Sequence, residues 1–239
     1  VSDRNSPRAP ARIRYGRGME RRNLPAILFF LTGMTSACFA IEPGVLNGGS
    51  DSWKLGSESS GVTLSSRLRR GSSLKEFKAV GAIDASTHVV HGVVDDFENY
   101  PRFMPYTAEC RIVKRGNDSV LTYQRLSPKI VTDRDYTLRV RQKSWSGPGG
   151  LVYLIRWEAA NEFGPAEKTG VLRVKLCEGG WLLEPDGANK TRATYSIYTD
   201  SGGAIPAFIA NKISEIGIRK LFAAVRKQVQ DPKYRAVAR

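Results

Sequence analysis

The chain has 239 residues and a formal net charge of +14, a length that suits one domain or at most two. A basic balance of that size favours nucleic acid or an anionic lipid surface. The lysines and arginines are nevertheless scattered along strand-like runs and a final helix, with no Arg/Lys-rich block, so no nucleic-acid partner is expected. A solvated basic surface, in transient contact with anionic membranes, fits that scatter.

Residues 1–18 are rich in arginine and proline and lack apolar periodicity. They are expected to be an upstream extension, with Met19 the start. Met19-Glu20-Arg21-Arg22 supplies a positive beginning, residues 24–34 are almost uninterruptedly apolar, and Cys38-Phe39-Ala40 offers a cleavage site before Ile41. Residues 19–40 therefore read as a signal peptide, and the protein as exported to a periplasm or secreted. The uncharged stretch 24–40 is 17 residues, short for a membrane span of about 20. An uncleaved anchor is the alternative reading, and Thr35-Ser36-Ala37-Cys38 is only a weak lipoprotein box. The first 40 residues hold seven arginines against Asp3 and Glu20, a net of +5 that leaves +9 for the body.

Residues 41–60, rich in Gly and Ser with Trp53 as the single large anchor, read as a linker before a domain over 61–234 and a tail over 235–239. Val62–Leu68 alternates as a strand, Arg69-Arg70-Gly71-Ser72-Ser73 turns, and 76–84 forms a second strand. Asp84 or Ser86 caps a helix whose apolar side is Val89, Val90, Val93, Val94 and Phe97. Strands follow without helices between them, over 108–114, 119–125, 135–145, 151–161, 170–178, 181–184 and 192–199. Turn signals separate them, among them Gly179-Gly180. Consecutive strands joined by short turns pair antiparallel, because a parallel pair needs a long crossover. The last helix, 205–230, carries Ile205, Phe208, Ile209, Ile213, Ile216, Leu221, Phe222, Val225 and Val229 on one side, with Gly217 at its middle. One such helix on a strongly curved sheet is a two-layer α+β arrangement.

Three segments carry a resemblance. They are Asp133-Arg134-Asp135-Tyr136, Gly170-Val171-Leu172-Arg173 followed by Trp181, and the run from Asp200 through Gly202-Gly203 to Asn211. Their order and spacing, across nearly all of the chain from Trp53 to Tyr234, resemble the START (StAR-related lipid transfer) family and its START-like superfamily. The resemblance implies a helix-grip fold, a long curved antiparallel sheet wrapped around the C-terminal helix, with short helices after the second strand. It also implies an internal tunnel for a lipid or other apolar small molecule. The lid would be that helix and the loop 127–132.

Side-chain alternation agrees: Tyr136, Leu138 and Val140 face one way against Thr137, Arg139 and Arg141, and Tyr153 and Trp157 share a face of the next strand. Expected ligand contacts are Phe103, Leu121, Tyr123, Ile130, Tyr136, Leu138, Val140, Tyr153, Trp157, Tyr195, Phe208, Ile209 and Ile213. A packed core would show the same periodicity. Arg134, Asp135 and Asp200 are expected as a structural corner, the charged pair tying it to the start of the helix, and Gly202 and Gly203 as a hinge. Sterol-handling members carry an inward acidic–basic pair whose positions fall here near Leu121 and Val140, both apolar; this departure from the family pattern points to a less polar tunnel, and a sterol ligand is not implied.

No cofactor is expected. Cys110 and Cys177, each inside an apolar run, are expected as buried free thiols, and no cysteine spacing fits a metal or redox site. His88, His91 and Asp95 share a helix face but supply no closed metal set. There is no Gly-x-Ser-x-Gly elbow and no cysteine beside a base. A binding and transfer role is therefore expected rather than catalysis. The alternative is a START-like polyketide cyclase or aromatase, for which Tyr123, Tyr136, Tyr153 and Tyr195 would be the acid–base candidates.

Overall fold

A computed structural model describes residues 52–129, 131–200, 202–203 and 205–235. The signal-peptide and upstream expectations for residues 1–40 lie outside them, as does Ile130. Ten strands form one sheet: β1 (Lys54–Ser59), β2 (Val62–Leu68), β3 (Lys75–Ile83), β4 (Thr107–Arg115), β5 (Val120–Leu126), β6 (Arg134–Gly147), β7 (Gly150–Ala159), β8 (Leu172–Arg173), β9 (Leu176–Pro185) and β10 (Thr191–Asp200). The order across the sheet is β1-β2-β3-β10-β9-β7-β6-β5-β4, antiparallel at each of these pairings, with β8 added to β6 in parallel. Helices α1 (Thr87–Asp95) and α2 (Tyr100–Phe103) follow β3, and α3 (Ala207–Gln228) and α4 (Pro232–Arg235) close the chain. This is the α+β helix-grip architecture.

Two sequence expectations change. The linker ends earlier than expected, because 54–59 is a strand. It is exposed throughout and turns into β2 at Ser60 and Gly61, both at positive φ. Trp53 lies against Arg67 and Lys78, 4.5 and 4.6 Å from its ring centre. Gly179-Gly180 is not a turn either, since β9 runs unbroken through it. Gly179 sits opposite Trp157, and a Cβ there would meet the Trp157 ring at 2.8 Å and the Ser196 carbonyl at 2.2 Å. The glycine makes room for an indole on the concave face, so the strand continues.

Ser86 caps α1, its Oγ accepting from Val89 N–H, and Val89, Val90, Val93 and Val94 are buried, as their spacing predicts. The core lies between the concave face of the sheet, α1 and the C-terminal half of α3, where Ile218, Phe222, Val225 and Val229 are buried. The N-terminal half of α3 differs. Phe208 is 73% exposed, Ile209 39% and Ile216 45%. At about 100° per residue, positions 213 and 218 lie about 140° apart around the helix. The apolar stripe therefore steps to another face at Gly217, and only its second part meets the sheet.

Candidate functional site

The concave face of the middle strands does not pack solidly against α3. A cavity of about 120 Å³ remains. The strands contribute Thr107 from β4, Gln124 from β5, Leu138 and Val140 from β6, Ile155 and Trp157 from β7, Trp181 from β9 and Tyr195 from β10. Val94, Phe97, Tyr100, Met104 and Pro105 cover one end, and Leu221 is the contribution of α3. None of these fourteen residues is charged. The aromatic groups pack on one another: Trp181 stands 4.8 Å from Tyr195 and 5.3 Å from Phe222, and Trp157 5.7 Å from Tyr195. Such rings give a stiff apolar wall.

The polar atoms of the wall are largely engaged. The Tyr100 hydroxyl donates to the Val94 carbonyl, and the Tyr136 hydroxyl to Gln124 Oε1 at 3.3 Å. Burial pushes the phenols of Tyr100, Tyr136 and Tyr195 above their ordinary range. It also pushes the Cys110 and Cys177 thiols up to about 12. Both cysteines are buried and unpaired. None of these groups is poised for proton transfer near neutral pH.

Of the expected ligand contacts, Leu138, Val140, Trp157 and Tyr195 line the cavity. Phe103 and Tyr136 pack against the surrounding core without lining it. Tyr153 belongs beneath α1, where its ring stacks on His91 at 4.1 Å and its hydroxyl meets His88 Nδ1 at 3.0 Å. His91 Nε2 meets Gln142 Oε1 at 2.6 Å, and Asp95 accepts from the Gln142 amide. The histidine face thus fastens α1 to β6 and β7, and no metal-holding cluster is found among the described residues.

Leu121 and Tyr123 are corrections. β5 pairs with β6 so that Thr122 and Gln124 share the face of Leu138 and Tyr136, while Leu121 and Tyr123 lie opposite Arg139 and Thr137 on the convex face. The inward polar group of β5 is Gln124, which aromatic content alone would not single out. Phe208 and Ile209 are exposed and Ile213 is half-buried, so these helix residues stand away from the cavity, and Leu221 takes their place.

At the corner, Asp135 pairs with Arg173 of β8, at 2.7 Å to Nε and 3.2 Å to Nη2, and accepts from the Tyr123 hydroxyl at 3.0 Å. Arg134 donates to the Thr132 carbonyl. Asp200 is exposed, and its side chain accepts from Gly202 N–H at 2.9 Å. Gly202 and Gly203 have φ of 65° and 79° and press on Leu172, where a Cβ on Gly202 would come within 2.6 Å. The segment entering α3 therefore meets the Gly170–Arg173 motif through Leu172, and among the described residues none of 127–132 lines the cavity.

A ten-stranded sheet gripping one long helix over an uncharged, aromatic-walled void defines a START-like helix-grip protein. The chain belongs to the polyketide cyclase/dehydrase and lipid transport family, whose model matches residues 83–226. It is 28% identical to an uncharacterized Pseudomonas aeruginosa protein over 183 residues, 76% of this chain and 87% of that one. It is 23% identical to the phosphatidylcholine transfer protein of Rattus norvegicus over 208 residues, 87% of this chain and 96% of that protein. Among solved structures, the STAR-related lipid transfer protein of Xanthomonas axonopodis (fragment 25–204) superposes with a TM-score of 0.66 at 24% identity. That superposition covers 75% of this chain and 99% of the fragment.

Proposed function

We propose that the protein binds a lipid or other apolar molecule between the curved sheet and α3, and carries it between membranes. The observation that carries this reading is the void itself: a core rich in large aromatic residues leaves unfilled space that, among the described residues, is bounded by neutral groups, as apolar ligand sites are. The naming of similar proteins as phosphatidylcholine and STAR-related lipid transfer proteins supports it. An apolar cavity of about 150 Å³ holds a benzene ring, so the closed form accommodates only a small part of a lipid. Uptake of a whole chain requires the N-terminal half of α3 to swing out together with the loop 127–132. The former has the least buried apolar surface holding it in place.

A cyclase or aromatase is the second reading, favoured by the description of the family. The wall of the cavity argues against it, offering the raised phenols of Tyr100 and Tyr195 where a general base needs a pKa near the working pH. We further propose that residues 19–40 direct export and that the basic surface meets anionic membranes transiently. A reporter fused after residue 60 tests the address: activity outside the cytoplasm supports export, and cytoplasmic retention overturns it. For the ligand, mass spectrometry of extracts from purified protein is expected to find lipid at near-stoichiometric amounts. Empty, folded protein that takes up no lipid from vesicles overturns the binding reading.

A further inference from the structure

Two residues that do not line the cavity bridge its rim. Tyr106 lies between Pro105 and Thr107, and Lys220 immediately precedes Leu221; all three of those neighbours line the void. Lys220 Nζ donates to the Tyr106 hydroxyl at 2.8 Å and sits 4.9 Å from the centre of its ring. Both side chains are exposed. They join the segment after α2 to α3 at the edge of the void.

Tyr106 is held in an uncommon conformation, with φ of 62°. A bulky residue in the left-handed region is an outlier that its surroundings must maintain. The Tyr106 carbonyl accepts from Ser127 N–H at 2.8 Å, which ties the residue to the start of the loop 127–132. Its ring is thereby aimed at Lys220 by backbone geometry.

Charge decides what such a rim selects. The fourteen lining residues include no charged group, and burying an ionised head among them without a partner carries a large desolvation cost. An amphiphile must therefore enter apolar end first and leave its head at the rim. Lys220 holds a neutral phenol there, so its charge is not cancelled by the group it holds.

We propose that Lys220 is a specificity-determining residue for amphiphiles with an anionic head, either a phosphate or a carboxylate. On uptake the ammonium releases the Tyr106 hydroxyl and pairs with the ligand's anion, closing the rim over it. This rests on the reading that the cavity takes apolar ligands.

Trp157 and Trp181 line the void, so tryptophan fluorescence of the full chain reports filling. Dodecyl phosphate, dodecanoate and dodecanol, titrated below their micellar concentrations, share one chain and differ in the head. The wild type is expected to bind at least one of the anions about five- to tenfold more tightly than dodecanol, the scale of one charge-assisted contact. Lys220→Gln should collapse that ratio to about one, and Lys220→Arg should restore it, with thermal unfolding confirming that both variants fold. Preference for the phosphate alone points to phospholipid-type ligands, and for the carboxylate alone to fatty acids; either supports the proposal. A ratio unchanged in Lys220→Gln, or equal weakening of all three ligands, overturns it while leaving the binding reading intact. A wild type that takes up none of the three overturns both.

Discussion

Asp135 is 1% exposed at its side chain and accepts from three donors, two on Arg173 and one on Tyr123. The hydrogen bond to Asp135 is the main cause holding the Arg173 guanidinium above its ordinary range, while burial, reinforced by the same carboxylate, pushes the Tyr123 phenol up to about 12. Removing one member of a buried pair leaves the other charge uncompensated, at a cost of about 3–5 kcal/mol. Asp135→Asn and Arg173→Met should each destabilise the protein on that scale in urea unfolding. Asp135→Leu combined with Arg173→Met should cost clearly less than the sum of the corresponding single changes, because the second change removes the charge that the first stranded. Strict additivity would show that the two side chains do not act as a pair. The Arg134-Asp135 motif was legible in the sequence, but its partner, 38 residues away in the chain, was not. Alternation also failed to say which face Leu121 and Tyr123 take. Tyr123 and Thr137 are buried on the convex face as fully as Val140 is on the concave one. Periodicity separates faces only when one of them meets water.

At the scale of elements, α4 is fastened to the end of α1 by one carboxylate. Asp96 accepts from Asn99 at 2.8 Å, Lys233 at 2.6 Å and Tyr234 at 2.7 Å. Burial alone would raise the Asp96 pKa, but these three donors outweigh it and hold the carboxyl below its ordinary range. A folded pKa below the unfolded value of about 3.9 gives stability that is present above that value and lost as pH falls through the folded pKa. Asp96→Asn should therefore be less stable than the wild type at neutral pH, by about 1 kcal/mol for a half-exposed network, and the gap should close below about pH 4. A gap that is constant with pH would mean that shape, not charge, holds α4 in place. The order of elements and the positions of α1 and α3 were legible, because amphipathic spacing and turn residues announce them. β1 was not, since six exposed residues carry no alternation. The break in α3 was half legible: Gly217 was visible, but the rotation of the stripe there becomes meaningful only once the sheet shows which face it covers.

The whole molecule combines a hydrogen-bonded clamp with a loosely covered lid. Arg219 donates to the carbonyls of Ser57, Ser59 and Val62, and Arg226 to those of Ser60, Gly61 and Ala82, so the β1–β2 turn is fastened to the second half of α3. Among the described residues, Lys75 N–H to Asn211 Oδ1 at 3.2 Å is the hydrogen bond that reaches from the sheet to the first half. A ligand that binds only the folded state stabilises it by about 2.7 kcal/mol at a hundred times its Kd. For a domain of this size each kcal/mol is worth about 2–4 °C, so saturating lipid should raise Tm by about 5–10 °C. If filling the void also fixes the lid, amide exchange in 207–216 should slow on binding far more than in 218–228, which the clamp already holds. A Tm shift with protection spread evenly along α3 would place the moving part elsewhere. No shift at saturation would mean that the void does not hold the ligand in the folded protein.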